Sequence, residues 1–380
     1  MVYKTWEKFG IKTSLLGFGC MRLPTKDNGK IDEELSTRML NYAYDNGVNY
    51  YDNAYMYLDY QDEKFVGKWL STKSRDTFYV TSKMPVMMIK TLNDAKRIFE
   101  EQLNNLQVTY FDFYLIHALN KNTWNFTINN GVFDYLLSLK KAGKIHHLGF
   151  SFHDEFDVFE KIINYYDWDF CQIQYNYIDQ DIQAGNKGYD LANSKGIPMV
   201  IMEPVKGGSL SNLPSNIDKI FKDYNQNLST SSWGYRWVAS HNNVHVVLSR
   251  MSSFEQVKDN INTFNAFRPL DEEELGLVEK VREELNKRVF NGCTGCRYCQ
   301  PCPQGIKIPY VFRAVNSYAK FADKKAMIWD YDSHITNLEE GPEGCVKCGL
   351  CENKCPQHLP IREDLQRALK IYQNLKMSVR

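Results

Sequence analysis

Short apolar runs and longer amphipathic segments alternate eight times between residue 12 and about residue 266 of this chain. The short runs have the length and the β-branched and aromatic content of strands, and the longer segments repeat apolar residues at helical spacing. Strands that alternate with helices build a parallel sheet, and eight repeats close a TIM (β/α)8 barrel. The pattern therefore predicts an α/β fold with a barrel in the first three quarters of the chain.

Each predicted strand is followed by a predicted helix. The strands are Leu15–Met21, Asn49–Asn53, Thr77–Ser82, Phe111–His117, Ile145–Ser151, Phe170–Tyr175, Pro198–Glu203 and Val244–Ser249. The helices are Asp32–Asn46, Asp62–Ser71, Asn93–Gln107, Val132–Ala142, Glu155–Tyr166, Gly188–Ser194, Thr230–Ala239 and Phe254–Phe264. A doubly wound sheet would instead need G-x-G-x-x-G after the first strand, where Gly17–Arg22 reads GFGCMR. The barrel is therefore favoured over the doubly wound sheet.

Length and charge restrict the class of protein. The 380 residues give room for a barrel over residues 1–285 and a small domain over residues 286–380, with the seam near the end of the charged stretch Asp271–Lys287. Lys+Arg and Asp+Glu both number 46, and this zero net charge predicts no nucleic-acid partner. The sequence begins without an apolar signal segment and has no stretch long enough to span a membrane. We therefore expect a cytoplasmic protein with no membrane partner.

Eight of the ten cysteines fall in two runs within the last quarter of the chain. The runs read CTGCRYCQPCP from Cys293 and CVKCGLCENKCP from Cys345. Structural zinc uses two spaced pairs of cysteines and has no role for a third one nearby, and disulfides are rare in a reducing cytosol. The spacing therefore favours iron–sulfur clusters over zinc or disulfides. Cys20 and Cys171 lie in apolar runs and are interpreted as core residues.

The second run matches the C-x2-C-x2-C-x3-C-P pattern of bacterial ferredoxins, and the first differs only in its shorter last gap. In two-cluster ferredoxins the cysteine before proline ligates the other cluster. The resemblance therefore implies a small α-rich, bacterial-ferredoxin-like iron–sulfur domain with two [4Fe-4S] clusters. The implied ligands are Cys293, Cys296, Cys299 and Cys355 for one cluster, and Cys345, Cys348, Cys351 and Cys302 for the other.

Polar side chains follow three consecutive predicted strands at their C-terminal ends, where barrel enzymes place catalytic residues. The second strand contains Asp52, with Tyr57 in the loop after it; Lys83 follows the third strand, and the fourth ends at His117. An ammonium beside a phenol favours the phenolate, so Lys83 held by Asp52 would make Tyr57 a better acid towards a carbonyl oxygen. His117 would orient that oxygen. Each residue alone has a simpler structural explanation, but their arrival together favours catalysis.

These residues and several neighbouring motifs resemble the aldo-keto reductase family over residues 1 to about 270. The matching pieces are Asp52–Tyr57, Glu63 to Gly67, Lys83, Leu115–His117, Gly149–Ser151, Gln172 and Glu255–Asn260. The resemblance implies a reductase of aldehydes or ketones, with a small-molecule carbonyl substrate, NADP or NAD as cofactor, and catalytic Asp52, Tyr57, Lys83 and His117. Met202–Gly208 and the cysteine-rich tail resemble a ferredoxin-fused branch of that family.

The same resemblance implies the residues that hold the nucleotide. Ser151 and Gln172 would bind the nicotinamide carboxamide, and Met202 occupies the position where an aromatic side chain usually stacks on the ring. The expected contacts of the adenosine phosphate are Arg250, Ser252, Gln256 and Asn260. An arginine often clamps the 2′-phosphate at the position of Gln256, so the choice between NAD and NADP stays open.

A nicotinamide delivers a hydride, which carries two electrons at once, whereas each cubane cluster usually passes one electron. A direct transfer between them would need a group that converts two-electron into one-electron steps. A flavin such as FMN is a common converter between the two, and a barrel rim can bind its phosphate. We therefore consider three functions. The favoured one is a carbonyl reductase whose clusters are structural or form an electron port, with a redox partner protein in the latter case. The alternatives are a flavin-containing reductase fed by the clusters and a non-enzymatic electron carrier or redox sensor.

Overall fold

Eight parallel strands form the barrel in the computed structural model of the chain, which describes residues 1–335 and 341–379. The barrel strands are β3 Leu16–Gly19, β4 Tyr50–Asp52, β5 Tyr79–Met84, β6 Phe111–Leu119, β7 Ile145–Phe152, β8 Phe170–Gln174, β9 Met199–Met202 and β10 Val244–Ser249. They pair in sequence order, and β10 pairs with both β9 and β3 to close the ring. The predicted barrel is confirmed, and each predicted strand end lies within two residues of the observed one.

Helices separate the barrel strands along the chain. The helices up to residue 265 are α1 Glu33–Asp45, α2 Asp62–Leu70, α3 Leu92–Leu106, α4 Lys121–Asn129, α5 Val132–Lys141, α6 Phe156–Ile163, α7 Gly185–Ser194, α8 Ser215–Tyr224, α9 Thr230–Ala239 and α10 Phe254–Asn265. Side chains of Asp32, Thr91 and Ser253 cap α1, α3 and α10 by accepting hydrogen bonds from backbone N–H groups of the first turn. Such caps explain why these helices begin where the sequence predicts a start.

In the first three quarters of the chain, one hairpin and two helices were not predicted. An antiparallel hairpin of β1 Tyr3–Trp6 and β2 Ile11–Ser14 precedes the barrel, with Gly10 in a left-handed conformation at its turn. The other two are α4 and α8, each of which lies between a predicted strand and the predicted helix that follows it. In α4 the side chain of Asn120 caps the first turn and Trp124 is buried, which stabilises a short amphipathic helix.

Aromatic side chains fill the barrel near the first residues of its strands. Trp6 packs against Phe113 with ring centroids 4.9 Å apart, and Phe113 lies 5.2 Å from Phe170. All three are fully buried and belong to one apolar cluster. His147 packs on the edge of this cluster. The centroid of its ring lies 4.1 Å from that of Phe9 and 5.0 Å from that of Phe113. Polar residues, among them Asp52 and Lys83, lie at the opposite, C-terminal ends of the strands.

Acid should destabilise the barrel through His147, because burial lowers the pKa of this imidazole to about 4. The unfolded chain binds the same proton with a pKa of about 6.5. The stabilising contribution is therefore fully present above about pH 6.5 and is lost as the pH falls towards 4. His147→Gln should reduce the difference in unfolding free energy between pH 7 and pH 5 by roughly 1 to 2 kcal/mol. Urea denaturation at both pH values measures the free energy of unfolding. If the difference between pH 7 and pH 5 were the same in His147→Gln and in the exposed-site control His146→Gln, His147 would not be the cause.

The chain divides into two compact units, one of residues 1–207 and 231–275 and the other of residues 208–230 and 276 onwards. The remaining helices are α11 Glu272–Lys287, α12 Ile308–Phe321, α13 Lys324–His334, α14 Leu350–Asn353 and α15 Ile361–Val379. Residues from α12, α13 and α15 form the core of the second unit, which includes Val311, Phe312 and Leu365. The boundary between residues 285 and 286 stays a prediction. Throughout 1–335 and 341–379, each helix is too short or too polar to cross a bilayer.

Candidate active site and cysteine cavities

The predicted catalytic side chains lie on three neighbouring strands of the barrel. Asp52 is the last residue of β4, Lys83 lies near the end of β5, and His117 lies near the end of β6. The Lys83 ammonium donates to Asp52 Oδ1 at 2.7 Å and to the backbone oxygen of Asn53 at 2.7 Å. Lys83 is fully buried and Asp52 is 3% exposed. The structure therefore brings together a buried, hydrogen-bonded ion pair at this end of the barrel.

Tyr57 lies in the turn after β4 and faces this pair. The centroid of its ring is 5.0 Å from Lys83 Nζ and 6.1 Å from the centroid of the His117 ring, which meets it edge to face. Three consecutive residues after Tyr57 adopt left-handed backbone conformations, Leu58, Asp59 and Tyr60. This conformation costs about 1 to 2 kcal/mol for each non-glycine residue, so surrounding contacts must hold the turn. One of them is the Gln61 side chain, which donates to the Leu58 oxygen at 3.0 Å.

Burial and charge act in opposite directions on the pKa of Tyr57. Burial raises the pKa of its phenol, Lys83 lowers it, and the net shift is upward. For Lys83, burial lowers the pKa, but Asp52 and Tyr57 outweigh it, so the pKa of the ammonium is raised. The cation thus acts on Tyr57 in the expected direction, and desolvation is the larger effect. Tyr57 is therefore a protonated phenol at neutral pH, next to a fixed positive charge.

His117 is a neutral imidazole. Burial, with a smaller contribution from Lys83, lowers its pKa to about 3. Its Nδ1 is buried and has no hydrogen-bond partner among the described residues. A neutral imidazole carries one N–H donor, so His117 can orient an oxygen near Tyr57 without competing for its proton.

A buried polar network holds the backbone behind Lys83. Glu63 accepts hydrogen bonds from Ser82 Oγ at 2.5 Å and from Gln102 Nε2 at 2.8 Å. Gln102 Nε2 also lies 3.1 Å from the Lys83 oxygen, and Tyr114 donates to Gln102 Oε1 at 2.5 Å. Sequence reasoning missed Gln102 and Tyr114 as supports of the site. The sequence did contain a sign of this role, because both are polar residues on the apolar faces of a predicted helix and a predicted strand.

Ser151 on β7 and Gln172 on β8 are direct partners in the register of these neighbouring strands. Ser151 Oγ accepts a hydrogen bond from Ala118 N at 2.7 Å, and Gln172 Nε2 contacts Met202 Sδ at 3.5 Å. The buried Gln172 Oε1 has no partner within the described part of the chain. A carboxamide would supply an N–H₂ donor to that oxygen and an acceptor for the Ser151 hydroxyl. These two residues therefore fit the nicotinamide carboxamide.

The four residues expected at the nucleotide phosphate all contact other side chains or backbone groups of the protein. Gln256 Oε1 accepts from Ser252 N at 2.7 Å and from Ser252 Oγ at 3.3 Å. Asn260 is 3% exposed, and its amide donates to Ser249 Oγ at 2.8 Å. Arg250 forms an ion pair with Glu203. Asn260 therefore joins α10 to β10 from within, and the structure does not place it on an open surface.

Each predicted set of four cysteines lines one cavity in the second unit. One cavity is lined by Cys293, Cys296, Cys299 and Cys355. The other is lined by Cys302, Cys345, Cys348 and Cys351, and Cys299 also borders it. In residues 1–335 and 341–379, no three His, Cys, Asp or Glu side chains converge on a single-ion site. The ligand sets implied by the ferredoxin resemblance are thus brought together as sets.

The two cysteine loops share a backbone conformation. In the first loop Gly295 and Arg297 have positive φ angles of 72° and 64°, and in the second Lys347 and Gly349 have 58° and 79°. In both loops these are the residues just before and just after the second cysteine. Left-handed residues bend the chain tightly, which lets three cysteines of each run face one cavity.

Two family models match the chain. Residues 15–283 match the aldo/keto reductase family, and residues 292–360 match a 4Fe-4S dicluster domain. The first match covers most of the chain and includes all four predicted catalytic residues.

Individual relatives agree with this assignment. The chain is 29% identical over 150 residues to "Probable aldo-keto reductase 1" of Glycine max, covering 37% of this chain and 42% of that protein. It is 25% identical over 164 residues to "Aryl-alcohol dehydrogenase [NADP(+)]" of Phanerodontia chrysosporium, covering 37% of this chain and 41% of that protein. The matches thus span about two fifths of these curated relatives.

The solved structure of an aldo-keto reductase from Bacillus halodurans has the same fold. It superposes with a TM-score of 0.62 at 24% identity, covering 74% of this chain and 96% of that one. The chain therefore belongs to the aldo/keto reductase family and carries a C-terminal 4Fe-4S dicluster domain.

Proposed function

We propose that this protein reduces an aldehyde or ketone with NADPH or NADH as hydride donor and carries two [4Fe-4S] clusters. The observation that carries the proposal is the buried Lys83–Asp52 pair beside the protonated Tyr57. The related aryl-alcohol dehydrogenase is named with NADP(+), which supports a nicotinamide cofactor here. We assign the barrel to residues 1–285 and the cluster domain to residues 286–380.

The proposed mechanism assigns one role to each residue of the site. A bound nicotinamide cofactor would supply the hydride that the carbonyl carbon accepts. Tyr57 donates its proton to the carbonyl oxygen, and Lys83 stabilises the phenolate that remains. Asp52 keeps Lys83 charged and in position, and neutral His117 donates a hydrogen bond that orients the oxygen. The alcohol then leaves, and the phenolate regains a proton from water.

In the cysteine cavities, thiolates would hold iron. Burial raises the pKa of Cys299 to about 11 and also raises the pKa of Cys293. Iron must therefore compete with protons for these sulfurs, and binding releases protons. We propose that the clusters are structural or form a separate electron port, in which case a redox partner protein exchanges electrons with them.

An anaerobic absorbance spectrum, with iron, sulfide and extracted flavin quantified before and after addition of NADPH or NADH, tests the proposal. We expect about eight iron atoms per chain, as two cubane clusters require, no flavin, nucleotide oxidation in the presence of an aromatic aldehyde, and clusters that nucleotide alone does not bleach. Bound FMN, or clusters bleached by nucleotide, would replace the proposal with a flavin-containing or cluster-fed reductase.

Gln172→Leu should weaken nicotinamide binding, because it removes the buried oxygen that lacks a partner. One hydrogen bond to a neutral group contributes about 1 kcal/mol, so the Kd for NADPH should rise about fivefold to tenfold. Fluorescence titration measures the Kd. The affinity for 2′-phospho-ADP-ribose, which lacks nicotinamide, should stay unchanged. A similar loss for both ligands would show that Gln172 does not contact the carboxamide.

A further inference from the structure

The two cysteine cavities differ in the charged side chains that line them. We call the cavity of Cys293, Cys296, Cys299 and Cys355 the first cavity, and that of Cys302, Cys345, Cys348 and Cys351 the second cavity. Among the residues that the structure describes, no carboxylate lines the second cavity, and three cations do, namely Lys347, Lys354 and Arg362. In the same described part of the chain, Arg297 is the one charged residue besides the cysteines that lines the first cavity. The two cavities therefore have different electrostatic surroundings.

Glu352 holds Arg362 in a fixed position. Its carboxylate accepts from the backbone N–H of Arg362 at 2.8 Å and from Nε at 2.9 Å, and Nη2 lies 2.7 Å from Oε2. A guanidinium that meets a carboxylate through two nitrogens has little freedom to rotate. Glu352 lies in α14 and Arg362 is the second residue of α15. The positive charge of Arg362 therefore has a defined place, although 45% of the side chain is exposed.

The remaining nitrogen of Arg362, Nη1, faces the cysteine loop of the second cavity. It donates to the backbone oxygen of Lys347 at 3.4 Å, and a Cβ built on Gly349 would lie 3.6 Å from it. Lys347 and Gly349 are the residues directly before and after Cys348. The guanidinium therefore lies against the loop that carries three of the four thiols of this cavity.

Arg362 also interacts electrostatically with the thiols of this loop. Glu352 is the main cause of the raised pKa of Arg362, and the sulfurs of Cys351 and Cys345 add to the increase. Reduction of a cluster adds an electron to a site that already carries thiolates, so a nearby cation favours the reduced state. With Glu352 counted against the three cations, the second cavity keeps two net positive charges, and the first has one. The second cavity therefore favours an added electron more than the first.

We propose that the cations of the second cavity, with Arg362 as the one held in place, raise the reduction potential of the cluster bound there above that of the other cluster. The inference rests on the two clusters of the proposed function and does not depend on carbonyl reduction. The net charge around a cluster is one of the properties that set its potential. The electron port proposed above then lies at the second cavity, because the cluster there is reduced first.

A redox titration followed by low-temperature EPR resolves the two one-electron steps in the full-length, anaerobically purified protein. Dithionite supplies the electrons and is oxidised to sulfite. In the wild type, the step at the higher potential should be the one that is missing in Cys302→Ala. Arg362→Gln should lower the ratio of reduced to oxidised cluster in that step about threefold to tenfold at a fixed potential, because one partly screened charge is lost. The other step should stay in place.

Three further variants separate charge from structure. Arg362→Lys keeps the charge and should restore most of the ratio. Arg297→Gln removes the cation of the first cavity and should lower the other step instead. Lys370→Gln removes an exposed cation of α15 that lines neither cavity, and it should shift neither step.

The inference is overturned if Arg362→Gln leaves both steps in place, shifts them equally, or shifts only the step that Cys302→Ala retains. It is also overturned if Arg362→Lys shifts the step as far as Arg362→Gln. If Arg362→Gln binds less iron than the wild type, Lys354→Gln takes its place, because the Lys354 side chain lines the same cavity. It should lower the same step, and an unchanged step would then overturn the inference.

Iron analysis keeps this test separate from the test of the proposed function. A wild-type protein with iron for fewer than two cubane clusters would overturn both the proposed cluster content and this inference. Two clusters in the wild type, with steps that the charge variants do not shift, would overturn this inference alone. Because carbonyl turnover is not measured, a failure of the proposed reductase activity would leave the result of the titration unchanged.

Discussion

Tyr57→Phe should lower kcat for carbonyl reduction by about 10²- to 10⁴-fold, the usual contribution of a positioned proton donor. The variant keeps the aromatic ring that lies 5.0 Å from Lys83 Nζ and 6.1 Å from the His117 ring. It removes only the hydroxyl group, so the Kd for NADPH should change by less than about twofold, since loss of one weak contact is worth a few tenths of a kcal/mol. Steady-state kinetics and fluorescence titration on the same preparation give both quantities.

The matched control for this variant is Tyr60→Phe. Tyr60 is 43% exposed and lies three residues further along the same left-handed turn. Loss of its hydroxyl should leave kcat near the wild-type value. Activity close to wild type in Tyr57→Phe would remove Tyr57 as the acid, and comparable losses in both variants would point to a disturbed turn.

The barrel was predictable because parallel strands are buried on both faces and appear in the sequence as uninterrupted apolar runs. The positions of Asp52, Lys83 and His117 follow from the same rule, since each lies at the end of such a run. The hairpin β1–β2 is different. Its strands are four residues long and partly exposed, so neither alternation nor length separates them from a loop.

The sequence could not predict which polar side chains contact each other when they lie far apart in the chain. Arg250 was expected at a phosphate, but its present partner Glu203 is separated from it by a whole strand–helix repeat. The two residues become neighbours only when β9 and β10 pair. Asn260 donates its amide to Ser249, a contact that the sequence did not predict, and its expected contact with the nucleotide stays a prediction. A motif identifies which residues gather at one end of a barrel, but side-chain packing decides which of them pair with each other.

The cysteine sets were predictable as patterns but not as contacts. The helices α12 and α13 lie between Cys302 and Cys345 in the sequence, and the ferredoxin resemblance alone joined these two cysteines. In the structure both line one cavity and both pack against the core of the second unit. The proposed cluster ligands also pack against the core, so we expect the loss of one ligand to affect both metal content and folding.

Cys302→Ala should lower the iron content from about eight towards four atoms per chain, because one of two cubane clusters loses a ligand. Cys302 shares its cavity with Cys345, Cys348 and Cys351, so the other cluster should keep its four thiolates. Six of the eight run cysteines pack against the core of this unit, including Cys302. Because metal binding and folding are coupled in small metal-dependent units, the variant should also be cleaved faster by protease after α11. Iron and sulfide analysis, low-temperature EPR of the reduced protein and limited proteolysis measure these effects.

The matched control is Cys171→Ala, which removes a thiol from β8 of the barrel. Cys171 is fully buried, and burial raises the pKa of its thiol far above the ordinary value. It is therefore a protonated core residue, and its loss should leave iron, sulfide and EPR signals at wild-type levels.

If Cys302→Ala retained the wild-type iron content and spectrum, Cys302 would not be a ligand. The exchange of the last cysteine between the two runs would then be wrong, although both cavities would still be available for clusters held by the remaining thiolates. Because the two variants remove the same atom from different units, their difference isolates cluster ligation from the general effect of losing a buried sulfur.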